Sequence, residues 1–259
     1  AFETFGAIGV VWAWWFYRWY RDDPATHPSV GSAELAIIPP ASETAAVHGP
    51  TPWRRMLASP SILLLWMQYV CFAYGWWFYV TWLPTYLQES RGLDPKYGAL
   101  LASLPLLLGG IGCLVSSHLS KRLSARIGVA RSRRLLAMTG FLFGSGSILA
   151  FTQLENPTVA MLMLGLTGFF GDFVMPPAWT ACMDMGGRYA GTVSGGMNMM
   201  GSIAGGVSPL VVGYIVASTG DWLATFHITA AVYVAGAACW LFLDPAAPVV
   251  EAAAVSTRV

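Results

Sequence analysis

Residues 119–134 read LSKRLSARIGVARSRR and join two apolar stretches, 97–118 and 135–153. This connection carries 6 of the 14 basic residues of the chain. A helix needs about 20 apolar residues to cross a hydrocarbon core of about 30 Å, and both flanking stretches come close to that length. The region is therefore predicted to be a basic loop between two membrane-spanning helices.

The same length criterion divides the rest of the chain. The seven predicted spans are 1–20, 61–87, 97–118, 135–153, 158–183, 191–217 and 222–243. Their connections alternate sides, and 12 of the 14 basic residues lie in one set, namely 18–60, 119–134, 184–190 and 244–259. Because basic residues accumulate in cytoplasmic loops, this set is predicted to face the cytoplasm.

Composition argues against other protein classes. Of the 259 residues, 56% are hydrophobic and 10% are charged, which is too little polar surface for a soluble domain of this size. The four cysteines lie in apolar stretches without CxxC spacing, and the lone histidines His118 and His227 lack partners at metal-ligand spacing. No nucleic-acid, GxSxG, HExxH or Walker motif occurs. We expect neither an enzyme nor a metal, cofactor or nucleic-acid partner.

The spacing of the predicted spans suggests a domain organisation. The connection 21–60 is long and proline-rich, whereas the others are short, and the chain begins without Met inside an apolar run. We expect a piece of a longer protein, the carboxyl-terminal half of a two-half, twelve-helix bundle. The predicted parts are 1–20, the last helix of the missing amino-terminal half; 21–60, a cytoplasmic linker; 61–243, a six-helix bundle; and 244–259, a cytoplasmic tail.

Short motifs along the whole chain carry a resemblance to a known family. They are FGAIG at 5–9 with Trp12, RDDP at 21–24 with HP at 27–28, WLPTYL at 82–87, PAW at 177–179, DMGGRYAG at 184–191, SGGMN at 194–198 and SP at 208–209. In this order and spacing the chain resembles the major facilitator superfamily. Within it, the chain is similar to the anion:cation symporter family, whose bacterial members include transporters of galactonate, glucarate and hexuronates.

This resemblance implies a function. It implies import of a small organic anion, such as a sugar acid, by symport with a proton or another cation. It also implies alternating access of two halves in the bilayer of a bacterial cytoplasmic (inner) membrane. The cationic clamp for the substrate carboxylate and the main proton acceptor would belong to the missing amino-terminal half.

One helical face of 61–87 combines polar and aromatic side chains. Its members are spaced by three or four residues and are Gln68, Phe72, Gly75, Tyr79, Trp82 and Tyr86. Such a face suits a hydrated cavity, with helix packing and an interfacial aromatic belt as alternatives, and the belt is favoured for Trp82 and Tyr86. The resemblance implies substrate contact for Gln68, and we also expect Tyr79 to bind substrate.

Asp172 is the only carboxylate deep inside a predicted span. An ionised group there costs at least about 3 kcal/mol, so it should face the interior, pair with a donor or take up a proton. Pro176 and Pro177 should interrupt the helix and free carbonyl groups. A cavity or coupling acid and a structural hydrogen-bonding group both remain open for Asp172. The resemblance implies substrate contact for Trp179.

Glycines dominate 191–217, where Gly191/Gly195 and Gly201/Gly205 predict close helix packing. Asn198 is the polar exception and is predicted to be buried. The resemblance implies that it contacts substrate, and an interhelical hydrogen bond is the alternative.

Asp184 and Arg188 flank two glycines on the predicted cytoplasmic rim. They are predicted either to latch a gate together with basic residues of 119–134 or to form a solvated pair worth less than about 1 kcal/mol. Ser116, Ser117 and Lys121 stand where the family loop usually has glycines and an acid, so this half departs from the usual gate pattern.

Two other functions stay open. A drug efflux member of the same superfamily fits the low charge within the spans, although the polar face of 61–87 argues against it. A non-transport membrane protein, either a half-size scaffold that dimerises or a receptor, belongs to a different class.

Overall fold

The computed structural model describes residues 2–37 and 50–248. The chain separates into two units, Ala1–Thr51 and Pro52–Val259. The first unit holds α1 (Phe2–Trp19), a 3₁₀ turn (Pro24–Thr26) and α2 (Ser32–Leu35). No residue of α1 is buried, and its aromatic rings stack at i, i+4 spacing, as in Trp12 and Phe16 at 4.9 Å.

All regular elements in the described part of the second unit are helices, which confirms the predicted all-α fold. Its helices are α3 (Trp53–Ala58), α4 (Pro60–Glu89), α5 (Pro95–Ala102), α6 (Leu104–Ile127), α7 (Val129–Thr152), α8 (Pro157–Asp172), α9 (Met175–Gly186), α10 (Ala190–Thr219) and α11 (Trp222–Phe242), with a 3₁₀ turn at Gly187–Tyr189. The predicted span 97–118 is split between α5 and α6, and 158–183 between α8 and α9.

Within the described residues, five helical stretches are long and apolar enough to cross a membrane. They are Pro60–Glu89, Pro95–Ile127, Val129–Thr152, Thr158–Thr219 and Trp222–Phe242. The predicted spans 158–183 and 191–217 both lie within Thr158–Thr219. The predicted span 1–20 forms α1, which is not one of the five stretches.

Local sequence explains where several helices begin. A polar residue followed by proline precedes α4 (Ser59), α5 (Asp94) and α8 (Asn156). In each case the polar side chain accepts a hydrogen bond from a backbone N–H of the first turn, and the proline occupies a position that needs no N–H partner. Asp221 caps α11 in the same way, by accepting from the N–H groups of Leu223 and Ala224.

The long helices pack in a continuous series. In the order α10, α4, α11, α7, α8 and α6, each lies against the next, and α9 packs chiefly on α10 while also touching α4, α6 and α7. Gly187 joins α9 to the turn before α10 with φ of 50°, a conformation that glycine adopts without strain. α9 therefore lies in the middle of the bundle, where its side chains reach several neighbours.

Candidate functional site

A cleft of about 270 Å³ lies between α4, α10 and the junction of α8 with α9. Five residues of α4, three of α10 and two at the junction line it: Tyr69, Phe72, Ala73, Trp76, Trp77, Asn198, Gly201, Ser202, Asp172 and Met175. Aromatic rings form most of one wall. Beyond the hydroxyl and indole groups of these rings, the polar side chains are those of Asp172, Asn198 and Ser202, and none of these ten lining residues is basic.

Glycines on α10 set the distance between α10 and α4. A Cβ built on Gly201 would lie 2.7 Å from the ring of Tyr69, and one built on Gly205 would lie 2.5 Å from the indole nitrogen of Trp77. The absent side chains thus leave room for the aromatic rings that form the cleft wall. Gly201 and Gly205 were predicted to allow close packing, whereas Gly191 and Gly195 face open space.

Three hydrogen bonds also join α4 and α10, all ending on backbone carbonyls. Trp66 Nε1 donates to the Val193 carbonyl at 3.0 Å, and Trp82 Nε1 donates to that of Pro209 at 3.1 Å. The fully buried Ser208 hydroxyl donates to the Tyr74 carbonyl at 2.8 Å. These bonds span the length of the interface and hold the cleft wall in register.

The break between α8 and α9 places Asp172 at the cleft. α8 ends at Asp172 and α9 begins at Met175, with Pro176 and Pro177 in the first turn of α9. Proline has no N–H, so the carbonyls four residues earlier lose their helical donors. One of them, the Phe173 carbonyl, accepts a hydrogen bond of 2.7 Å from the fully buried Ser116 hydroxyl of α6.

The Asp172 side chain is partly buried beside α6 and lines the cleft. A Cβ built on Gly109 would lie 3.0 Å from the Asp172 Cγ and closer still to its Oδ2. Among the described residues, no hydrogen bond or ion pair reaches this carboxylate. Of the outcomes open for Asp172 in the sequence, a position at a cavity therefore fits, whereas pairing with a donor of this half does not.

Trp179 and Asn198 lie on either side of the Tyr69 wall. Trp179, half-buried on α9, packs edge-on against Tyr69 with ring centroids 6.3 Å apart. Asn198 is exposed on α10 at the cleft rather than buried as predicted, because no described helix covers this face, where the Cβ position of Gly195 also meets nothing within 4 Å. The structure thus brings Asp172 and Asn198 together at one cleft, with Trp179 behind its aromatic wall.

Gln68 and Tyr79 do not line the cleft. Gln68 is fully buried, donates from Nε2 to the Leu65 carbonyl at 3.0 Å and accepts from Trp240 Nε1 at 3.2 Å. Tyr79 is also buried, and its hydroxyl has no hydrogen-bond partner in the described part of the chain.

Most of the α4 face that was predicted to line a hydrated cavity packs on neighbouring helices, and of its six members only Phe72 lines the cleft. A Cβ built on Gly75 would lie 2.5 Å from the Tyr233 hydroxyl, and the Tyr86 and Phe226 rings are 5.0 Å apart. The helical period placed these residues on one face but did not show which neighbour each of them meets. The cleft is lined by a face that shares Phe72 with the predicted one, and its members recur at helical spacing as Tyr69, Phe72, Ala73, Trp76 and Trp77. That periodicity was the available signal for the missed residues.

At the predicted cytoplasmic rim, Asp184 pairs with a basic residue of 119–134. Arg133 Nη1 lies 2.7 Å from Asp184 Oδ2 and also donates to the Pro245 carbonyl at 3.0 Å. The Arg133 side chain is 9% exposed and that of Asp184 48%. Arg188 is exposed and lies over the Tyr189 ring at 4.8 Å. The ion pair joins the ends of α7 and α9 and does not include Arg188.

Comparison with known proteins gives a consistent result. The family profile described as Major Facilitator Superfamily matches residues 1–209. A probable sulfoacetate transporter from Cupriavidus necator is 36% identical over 251 residues, which cover 95% of this chain and 57% of that protein.

More distant relatives are also named as transporters. A probable L-galactonate transporter from Escherichia coli is 27% identical over 248 residues, covering 93% of this chain and 54% of that protein. A chloroplastic ascorbate transporter from Arabidopsis thaliana is 24% identical over 240 residues, covering 92% and 44%. The chain thus spans about half the length of the relatives it matches.

Proposed function

We propose that this chain, which belongs to the Major Facilitator Superfamily, forms the carboxyl-terminal half of a secondary transporter for a small organic anion. The chain is a multi-pass membrane protein, as its long apolar helices indicate. The observation that carries this proposal is the cleft that joins Asp172 and Asn198 to an aromatic wall. Polar groups set into a largely apolar concave surface are typical of small-molecule sites.

The charge of the cleft supports a division of labour between two halves. Its lining offers a carboxylate and no basic residue, so an anionic substrate would find no countercharge on this wall. We propose that a basic residue of an amino-terminal half supplies it, and that 1–20 and 21–60 are the last helix of that half and the linker. Asn198 would hydrogen-bond the polar end of the substrate, and Tyr69, held by Trp179, would pack on its carbon skeleton.

Gln68 and Tyr79 take a supporting role in this proposal. Gln68 joins α4, the helix that carries the aromatic wall, to α11 by accepting a hydrogen bond from Trp240. Substrate contact was predicted for both residues. We now assign contact to Asn198 and the aromatic wall, and we assign Gln68 and Tyr79 to the layer that holds that wall.

Uptake into proteoliposomes tests the proposal. The transporter with both halves, reconstituted and preloaded with unlabelled acid, should exchange at least one of galactonate, glucarate and sulfoacetate faster than empty vesicles do. Asn198→Ala should slow that exchange, and Asn156→Ala, which alters only the α8 cap, serves as the surface control. Absence of exchange for every sugar acid and sulfonate offered would contradict the proposal.

Coupling to protons rests on Asp172. Because no donor of the described half reaches this carboxylate, we propose that it binds the proton that accompanies the substrate or assists the acceptor in the other half. Asp172→Asn should preserve counterflow and flatten the pH dependence of proton-driven uptake. Identical pH profiles for the wild type and Asn variants would remove Asp172 from coupling.

Orientation in a bacterial cytoplasmic membrane is also a proposal, and it rests on the distribution of basic residues. Ser42 and Ser256, the natural positions for reporter cysteines, lie outside the described residues. In intact cells, an impermeant thiol reagent should fail to label a cysteine at either position and should label both after lysis. Labelling in intact cells would reverse the topology.

The aromatic wall favours a second candidate function, the efflux of lipophilic cations. Phe72, Trp76 and Trp77 beside Asp172 would suit a lipophilic cation as well as a carbon skeleton. Ethidium efflux from energised cells separates the two functions, since an organic-anion importer should leave ethidium retention unchanged.

A further inference from the structure

We infer that α6 positions the Asp172 carboxylate at the cleft, through Gly109 and Ser116, so that these two residues of a helix outside the cleft control what Asp172 presents to a ligand. The inference rests on the proposed role of the cleft as the substrate site. Neither Gly109 nor Ser116 lines the cleft.

The first contact is steric. Gly109 is buried on α6, and the position its Cβ would take is 3.0 Å from the Asp172 Cγ and 3.3 Å from the Gly168 carbonyl oxygen. The carboxylate therefore lies in space that only a glycine at 109 leaves free. The next residue, Gly110, has no atom within 4 Å of its Cβ position, so it provides a matched control on the same helix.

The second contact is a hydrogen bond to the backbone of Phe173, the residue that follows Asp172. The Phe173 carbonyl would normally accept from the N–H of residue 177, which is a proline, and the Ser116 hydroxyl donates to it instead. Ser116 is fully buried, so no water replaces that donor. Ser117, its neighbour, donates only to the Cys113 carbonyl of its own helix and is exposed, which makes it the matched control.

Between Gly109 and Ser116, α6 also meets the backbone of α8 at Gly112. The Gly112 Cβ position falls within contact distance of the Phe169 carbonyl, and its distance to the Phe169 carbonyl carbon is 2.8 Å. α6 thus touches the end of α8 at Phe169, Asp172 and Phe173. The carboxylate thus lies between α6 and the cleft that it lines.

This geometry predicts the effect of adding a methyl group at Gly109. An alanine there would push the Asp172 side chain away from α6 and into the cleft, because overpacking a close contact forces side chains off their preferred rotamers. Loss of the Ser116 hydroxyl would leave the Phe173 carbonyl without a donor and loosen the end of α8. In both cases position 172 becomes more accessible from the cleft.

A labelling experiment measures this without requiring transport. Asp172→Cys is introduced into the two-half transporter after the four native cysteines have been replaced, and its rate of reaction with a small methanethiosulfonate is followed in membranes. Gly109→Ala should raise the rate about threefold or more, and Gly110→Ala should leave it unchanged. Equal rates in Gly109→Ala and Gly110→Ala would overturn the inference.

The serine pair provides a second test if Gly109→Ala fails to insert. Ser116→Ala should raise labelling at position 172 by a similar factor, and Ser117→Ala should not. Equal rates in the two serine variants would also overturn the inference. Because labelling needs no transported substrate, failure of the proposed anion transport and failure of this positioning role give separate results: the first abolishes exchange in the wild type, the second equalises the labelling rates.

Discussion

The α4–α10 and α6–α8 interfaces both depend on glycine, but different atoms meet the glycines. On α10, Gly201 and Gly205 face the rings of Tyr69 and Trp77. On α6, Gly112 faces the backbone of Phe169, and on α8 Gly168 faces the backbone of Pro105. A ring at the end of a side chain can turn aside, whereas a backbone carbonyl moves only with its helix.

This difference suggests what each interface does. The α6–α8 contact fixes the break that carries Asp172, since at Gly112 and Gly168 a glycine of one helix meets the backbone of the other. The α4–α10 contact shapes the aromatic wall, where small ring movements alter the cleft without separating the helices. The first should therefore govern folding, and the second should govern ligand affinity.

The largest effect is expected for Gly112→Ala. The new Cβ would lie 2.8 Å from the carbonyl carbon of Phe169, so α6 and α8 must move apart. Overpacking of this kind costs about 1–3 kcal/mol, and we expect a loss at the upper end of that range. Thermal unfolding of the purified two-half transporter measures the loss, with Gly110→Ala as control. Equal midpoints for the two variants would remove the distinction between the interfaces.

The second effect separates the aromatic wall from the layer behind it. Trp179→Ala should remove support from Tyr69 and raise the KM for uptake about tenfold to a hundredfold, the equivalent of roughly 1–3 kcal/mol. Gln68→Ala should instead leave the buried Trp240 N–H unpaired and lower stability by about 1–3 kcal/mol. Kinetics and unfolding are measured on both variants. A change in KM for Gln68→Ala at unchanged stability would return Gln68 to the substrate site.

A smaller effect is expected for Gly201→Ala. Its Cβ would press on the Tyr69 ring at 2.7 Å, and because the ring can tilt, the loss of stability should be only about 1 kcal/mol. The tilt reshapes the cleft, so the KM should change about tenfold while expression is retained. Gly206→Ala, which meets nothing within 4 Å, is the control. Unfolding by Gly201→Ala as severe as that by Gly112→Ala would show that both interfaces are equally rigid.

The sequence predicts the elements of this fold better than their neighbours. Helix starts such as Ser59–Pro60 and the break at Pro176–Pro177 depend on local backbone chemistry, so they can be predicted from a few residues. Which face of α4 lines the cleft depends on the helices beside it. Tyr69 of the aromatic face and Gln68 of the predicted face are one residue apart. The space for the Tyr69 and Trp77 rings is left by Gly201 and Gly205 of α10, more than 120 residues later in the sequence.

The donor for the Phe173 carbonyl shows the same limit. The prolines predict that a carbonyl is freed, but nothing local shows that Ser116, 57 residues earlier, supplies the donor. Asp172 could be singled out from the sequence because the cost of a carboxylate in a membrane is independent of its neighbours. Its contact with Gly109 was not predicted, since that contact requires the packing of α6 on α8.

The smallest effect is expected at the cytoplasmic rim, where a third kind of contact joins helix ends by charge. Arg133 is almost buried and holds both Asp184 and the Pro245 carbonyl, whereas Asp184 is about half exposed, so solvent screens the pair. Asp184→Asn should cost about 1 kcal/mol or less, because Arg133 keeps its bond to Pro245. Arg188→Gln should change stability by no more than about 0.5 kcal/mol, since this exposed side chain makes only a contact with the Tyr189 ring.

If the ion pair between Arg133 and Asp184 also latches a gate, Asp184→Asn should raise the rate of counterflow while Arg188→Gln leaves it unchanged. Equal counterflow in both variants, at equal stability, would confine Arg133 and Asp184 to a structural role.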